Sequence, residues 1–527
     1  MCFCEKKLKK EITILNIKDA KTQIHNSLKS YLAKDADGHY LIPAHEQRPV
    51  FLMGPPGIGK TAIMEQIASE MNVALLSYSM THHTRQSALG LPFIQHKVYD
   101  GKEYDISEYT MSEIISSIYE LQEETGAKEG ILFLDEINCV SETLAPVMLQ
   151  FLQYKIFGKH KVPDGWIVVT AGNPPEYNKS VREFDIATWD RLKRIDVTPD
   201  FDTWKDYAYA THVHPAIITY LENKHDNFYT VRSTENGKQF VTARGWGDLS
   251  KIMHVYESLK LNIDNDLIGQ YLQDIKIARD FESYYELFKK YKSDYKINSI
   301  LEGNVDPSIK TRASQAQIDE RLSLTGLVLD AIMGEITETH VDYLVIETTF
   351  NLLKKFKSSV NKAMASDSAR EILNNIVSEA KTQNEKDKKA GKISMRDVLV
   401  MEKAIKIIND IQSKFTDDVP KNTMKVARKE FDKCYKAYEK KAEKIAKRYD
   451  NAQEFIKTTF ADGTELIIFL EAVTTNSDTS QFLSRDASAA YNKYNDGLML
   501  TSRQAELDKE IDNIDLDSID ADDDTDN

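Results

Sequence analysis

Residues 54–61 read Gly54-Pro55-Pro56-Gly57-Ile58-Gly59-Lys60-Thr61, which fits the spacing G-x-x-x-x-G-K-[ST]. Glycines at these places let the main chain curl until several N–H groups face one centre, so that the backbone itself can cradle phosphate. Lys60 adds an ammonium for the terminal phosphates and Thr61 a hydroxyl for Mg2+. Ala62 lies in the first turn of the helix that should follow, whose N-terminal partial positive charge continues the cradle. A second pair of groups, Asp135-Glu136, offers one carboxylate to assist the metal and another to take a proton from an attacking water. Asn173, in Thr170-Ala171-Gly172-Asn173-Pro174-Pro175, carries an amide able to orient that water between Glu136 and the γ-phosphate. Taken alone, an Asn before Pro is an ordinary turn former.

These groups need strands to hold them. Val50–Met53 is a short apolar strand directly before the glycine-rich turn, and a helix is expected from Lys60 to about Met71. Val73–Met80 reads as a second strand, Ile114–Leu121 as a helix, Ile131–Asp135 as a strand and Leu144–Phe157 as a helix. Trp166–Ala171 and Arg194–Val197 close the series. Such β-α alternation argues for an α/β fold, a parallel sheet flanked by helices, with chemistry at the carboxyl ends of its strands. Residues 7–34 have helical apolar spacing, and after Pro199 strand signals fade and helical periodicity dominates to about residue 505. The segment Thr81–Pro92 is expected to be a substrate-facing or inter-subunit loop; its His82-His83 pair has no Cys or carboxylate at ligand spacing. Lys155–Pro163, just before the third site-bearing strand, suggests a hairpin insertion.

The chain has 527 residues, 41% of them apolar and 29% charged, with a net charge of −15. Length alone suits about three domains. No stretch approaches the ~18 apolar residues of a membrane helix. The charged N-terminus lacks the apolar core of a signal peptide, so a cytoplasmic protein without a membrane partner is expected. The four cysteines, Cys2, Cys4, Cys139 and Cys434, are too few for a disulfide scaffold and read as free thiols. Charge is uneven. Asp508–Asp526 holds ten acids and one lysine, a composition that reads as disordered, either a docking or autoinhibitory tail or, the favoured reading, a solubilising end. Lys421–Arg448 holds eleven Lys or Arg against four acids on an amphipathic helical pattern. That basic face could meet nucleic acid or the acidic segment, although Lys-rich helix faces are more often simply solvated.

Together these pieces resemble the AAA+ ATPases, and within them the MoxR-like branch. The resemblance rests on Gly54–Thr61, Leu132-Phe133-Leu134-Asp135-Glu136-Ile137-Asn138, the run 170–178, Thr188-Trp189-Asp190-Arg191-Leu192-Lys193-Arg194-Ile195 and Thr242-Ala243-Arg244-Gly245. It covers roughly residues 45–255. It implies a P-loop AAA+ core with a helical lid and, beyond the resemblance, a further mainly α-helical C-terminal region. The expected division is an N-terminal helical segment (1–46), the nucleotide-binding domain (47–200), the lid (201–305), a helical domain (306–505) and the acidic tail (506–527). It also implies Mg2+-dependent ATP hydrolysis in a hexameric homo-oligomeric ring that remodels or activates a separate protein client or partner, such as one bearing a von Willebrand factor A domain. By the same resemblance Asn173 matches the sensor-1 position and Arg244 sensor 2. Arg191 stands at the arginine-finger position, with Arg194 as the alternative. A motor or loader on nucleic acid, the less favoured partner, and a nucleotide-gated assembly scaffold are the competing readings.

Overall fold

The computed structural model describes residues 14–178, 180–234, 237–362, 368–416, 419–461 and 463–485. Cys2, Cys4 and the acidic segment lie outside them. Twelve strands occur among these residues: β1 (Ile14–Leu15), β2 (Val50–Met53), β3 (Ala74–Ser79), β4 (Pro92–Tyr99), β5 (Lys102–Tyr109), β6 (Gly130–Asp135), β7 (Ile156–Phe157), β8 (His160–Lys161), β9 (Trp166–Gly172), β10 (Lys193–Val197), β11 (Thr230–Thr234) and β12 (Gly237–Val241). Six of them form a parallel sheet in the order β1-β10-β2-β9-β6-β3, and the other six form three antiparallel hairpins.

The sheet is buried on both faces, which is why its strands read as continuous apolar runs instead of alternating ones. Val50, Leu52, Ile131, Phe133, Ile167, Val169, Ala171, Ile195 and Val197 point to one side. There they pack on Ile63, Met64 and Ile67 of the helix Lys60–Met71 and on Ala20, Ile24 and Leu28 of the helix Ile17–Tyr31. The alternate residues Phe51, Leu132, Leu134 and Val168 face the other way, onto Ile114, Ile115 and Ile118 of Glu113–Thr125 and Met148, Phe151 and Leu152 of Ala145–Tyr154. The period of two along each strand thus divides one run of hydrophobes between two cores.

The chain forms two compact units. Of the described residues, the first takes in 14–204, Phe228–Trp246 and Asn374–Glu402, and contains the sheet. The second takes in Lys205–Asn227, Gly247–Leu373 and 403–485. Its described elements are helical, dominated by Ile318–Val360 and Pro420–Phe460. Half-buried ion pairs join its helices: Arg448 holds Glu335 at 2.7 Å, and Arg321 holds the buried Glu465 at 2.8 Å.

Four features differ from the sequence expectation. The N-terminal segment contributes β1, a two-residue strand too short to carry a period. It pairs Ile14 with Asp196 and Leu15 with Val197. The hairpin β4–β5 stands where a loop followed by unassigned sequence was expected. The region 201–305, read as wholly helical, contains the hairpin β11–β12, whose short polar strands give a weak signal. Residues 374–402, which the sequence groups with the C-terminal helices, are compact with the parallel sheet. The expected hairpin within Lys155–Pro163 is present as β7–β8.

Candidate active site

β2, β9, β6 and β3 are consecutive in the sheet, so Met53, Gly172 and Asp135 end neighbouring strands at one edge. The loop after β2 is anchored there by the Gly54 N–H donating to the Gly172 carbonyl at 3.2 Å. Gly57 and Gly59 take φ of +77° and +94°, the region where a side chain is strained. A Cβ on Gly59 would meet nothing within 4 Å. That open side above the first turn of Lys60–Met71 is the space an anion needs at a helix N-terminus.

Lys60 is 8% exposed, and its Nζ donates to the carbonyls of Gly54 (2.7 Å) and Pro55 (2.9 Å) and to Asn173 Oδ1 (2.8 Å). Burial lowers its pKa to about 8; Asp135 and Glu136 oppose the drop, and the Arg244 charge adds to it. Thr61 Oγ1 donates to Asp135 Oδ2 at 3.3 Å. A hydroxyl and a carboxylate so placed are hard oxygen ligands of the kind Mg2+ takes while keeping several waters. Asp135 Oδ1 accepts from the Glu136 N–H at 2.9 Å.

Glu136 itself has φ +56° and ψ +34°, an uncommon backbone for a residue with a side chain. The turn lifts its carboxylate away from Asp135 and toward β3. There Oε2 accepts from Thr81 Oγ1 at 3.3 Å and lies 3.5 Å from Ser79 Oγ. Asn173 is fixed by its own backbone: its N–H donates to Asn138 Oδ1 (3.3 Å), and its carbonyl accepts from Asn138 Nδ2 (2.8 Å). Gly172 makes this approach feasible, because a Cβ there would stand 2.5 Å from Asn138 Oδ1.

Residues 228–246 reach the loop from the other side. The Arg244 N–H donates to the Gly57 carbonyl at 3.1 Å, Tyr229 Oη donates to the Pro56 carbonyl at 2.8 Å, and a Cβ on Gly57 would touch Thr242 Oγ1 at 3.0 Å. The structure therefore brings Gly54, Pro55, Pro56, Gly57, Ile58, Gly59, Lys60, Thr61, Ala62, Asp135, Glu136, Asn173 and Arg244 to one place. Ile58 lies in the core beneath the loop.

Arg191 and Arg194 engage other groups. Arg191 Nη1 donates to the Ala187 carbonyl at 2.7 Å. Arg194 makes a forked pair with Asp196 at 2.7–3.0 Å and stacks 4.6 Å from the Trp189 ring. His83 bonds Ser87 at 3.1 Å and meets the Tyr78 ring edge-on. Among the described residues no three His, Cys, Asp or Glu cluster as metal ligands, and no helix is long and apolar enough to cross a membrane. Thr81, Asn138 and Thr242 lie in segments the sequence singles out, but it gives them no role of their own, and Tyr229 lies in none. All four are polar partners of backbone or carboxylate, a part that only the folded neighbourhood reveals.

The sequence model of the ATPase family associated with various cellular activities (AAA) matches residues 50–194. No curated protein sequence matches the chain. Among solved structures it is similar to the RuvB Holliday junction branch migration motor of Thermotoga maritima, with 15% identity, 49% of this chain and 69% of that one covered, and a TM-score of 0.27. For a point mutant of that motor the values are 16%, 55%, 77% and 0.28. This structural likeness is too slight to bear on function. The family match and the sheet that holds the phosphate loop together make residues 50–194 an AAA ATPase domain, an enzyme domain that hydrolyses ATP with Mg2+.

Proposed function

We propose that this chain is a ring-forming, MoxR-like AAA+ ATPase that uses ATP hydrolysis to remodel or activate a separate protein partner. In this reading the amides of residues 54–61, Lys60 and Arg244 bind the triphosphate. Thr61 and Asp135 hold Mg2+, which draws charge from the phosphate oxygens. Glu136 accepts the proton of the attacking water, and Asn173 orients that water. The neighbouring subunit supplies an arginine, and Arg191 suits this better than Arg194. The Arg194 guanidinium is already held by a carboxylate and an indole, while Arg191 is exposed with one backbone acceptor.

The observation that carries a protein client is the hairpin β4–β5. It leaves Ile94 (69%) and Val98 (62%) exposed on one face and Tyr99 (54%) on the other, single apolar side chains that suit contact with polypeptide better than with a phosphate backbone. It lies in the same connection as Thr81, which touches the catalytic carboxylate. The test is hydrolysis by the full chain across a concentration series. Turnover per chain should rise with assembly and fall by at least ~100-fold in Arg191→Ala, the scale of a lost arginine finger. Turnover independent of concentration would count against the ring, and stimulation by DNA would favour the motor reading.

A further inference from the structure

The helix Pro420–Phe460 divides its cations between two sides. On one side they are spent within the second unit: Lys441 pairs with Glu338 and Asp342 at 2.7 Å each, and Arg448 pairs with Glu335. On the other, Lys425, Lys429, Lys433, Lys436, Lys440, Lys444 and Lys447 follow one another at steps of three and four, and all seven are exposed. At 100° per residue these steps keep the seven on a single stripe about 100° wide, rising about 33 Å from Lys425 to Lys447. Among the described residues, Lys433 is the one of these with an ion-pair partner, Glu430 at 2.6 Å. Asp432, Glu439 and Glu443 flank one edge, so the stripe keeps a positive excess.

We propose that this stripe is a docking surface for the chain's own acidic segment, Asp508–Asp526. Two observations select that occupant. The first is charge: ten acids against one lysine in the segment are opposite in sign to the row of seven lysines. The second is delivery. The last described helix, Ser477–Arg485, ends on the basic helix itself. Arg485 Nη2 donates to Tyr438 Oη at 2.8 Å, and its guanidinium lies 3.4 Å from the Tyr343 ring centre. Tyr438 is level with the middle of the stripe. The intervening residues 486–507 can span up to ~70 Å, far more than the ~16–19 Å needed to pass halfway round a helix ~10–12 Å across. A tether of that length keeps the acids at a high effective concentration over the lysines without any close-fitting contact. Docking so written withholds the stripe from external polyanions and responds to ionic strength.

The test uses the full chain and a zero-length carbodiimide cross-linker, which joins carboxylates to amines in direct contact, followed by peptide mass spectrometry. At low salt, acids of 508–526 should link within one chain to the seven stripe lysines. The yield should fall by at least ~10-fold in about 0.5 M salt, where the screening length is only a few ångströms. It should fall as far with Lys429, Lys433, Lys436, Lys440, Lys444 and Lys447 changed to Gln. The salt arm needs no variant, so a misfolded mutant cannot decide the matter. Links absent, spread over lysines elsewhere, or joining different chains would overturn the proposal. A labelled DNA duplex gives the second readout. Neutralising the ten acids to Asn or Gln should tighten DNA binding by at least ~10-fold, and the Lys→Gln set should remove the gain. Wild-type protein binding DNA as tightly as the neutralised form would make the stripe a nucleic-acid surface instead.

Discussion

Glu136 occupies a left-handed backbone that costs a residue with a Cβ about 1–2 kcal/mol. Its neighbours supply a reason to retain it: the turn separates two adjacent carboxylates, one toward Thr61 and the other toward Thr81. On the proposed reading, in which Glu136 is the proton acceptor, Thr81 acts by positioning that carboxylate. Thr81→Val keeps the shape and removes the hydroxyl. It should lower kcat by about tenfold with KM for ATP unchanged, the signature of an interaction needed in the chemical step and not in binding. Steady-state kinetics that moved KM instead would deny it the positioning role. Lys60 offers a pH test. Burial holds its pKa near 8, so the ammonium is largely charged at pH 7 and largely lost at pH 9. Bound phosphates favour the charged form, so ATP binding takes up a proton across this range and affinity should weaken about tenfold from pH 7 to pH 9. Calorimetry in buffers of different ionisation enthalpy reads both effects, and Lys60→Gln should flatten them. In the nucleotide-free chain the sign is reversed. The unfolded state binds more protons than the folded one between pH 8 and the usual lysine value. Lys60's contribution to stability therefore rises over that window.

The parallel strands were legible in the sequence because burial on both faces writes them as short apolar runs between turns. The phosphate loop, Asp135 and Glu136 were legible because their chemistry demands fixed types at strand ends. The edge elements were not. β1 has two residues, and β4–β5 is a solvent-facing ribbon whose exposed Ile94 and Val98 mimic neither a core strand nor a polar loop. Gly130 shows how much of a strand's identity stays hidden until its neighbour is placed. It opens β6 beside Trp166 of β9, and a Cβ there would meet the indole at 2.8–2.9 Å. Trp166 is buried among the core residues, which leaves the indole little room to shift. Gly130→Ala should cost ~1–3 kcal/mol by overpacking. Denaturant unfolding of the sheet-bearing unit measures this, and an unchanged midpoint would mean that the indole moves aside.

At the scale of the whole chain, the ATPase unit is finished by residues found far downstream. β3 is an edge strand, and an uncovered edge is a template for aggregation. Residues 374–402 cover it: the Leu75 N–H donates to the Ala390 carbonyl at 3.0 Å, Ala390 is fully buried in the core that contains Ala74, and Lys389 pairs with Glu124 at 3.0 Å. Gly391, at φ +68°, turns the chain there, 3.5 Å from Leu75 for a hypothetical Cβ. No local pattern could show this, since a helix end and its tip look like any polar turn until the partner strand is known. One buried charge at the tip should open it. Ala390→Asp places a carboxylate without a partner in an apolar core, at several kcal/mol. The tip should therefore release and leave the rest of the sheet folded. Native-state hydrogen exchange is the direct measurement. The Leu75 amide should exchange at least ~10-fold faster in the variant, while Leu52, in β2 between β10 and β9, keeps its protection. Equal acceleration at both amides would mean that the tip supports the whole unit and not the edge alone. No acceleration at Leu75 would mean that the strand needs no cover.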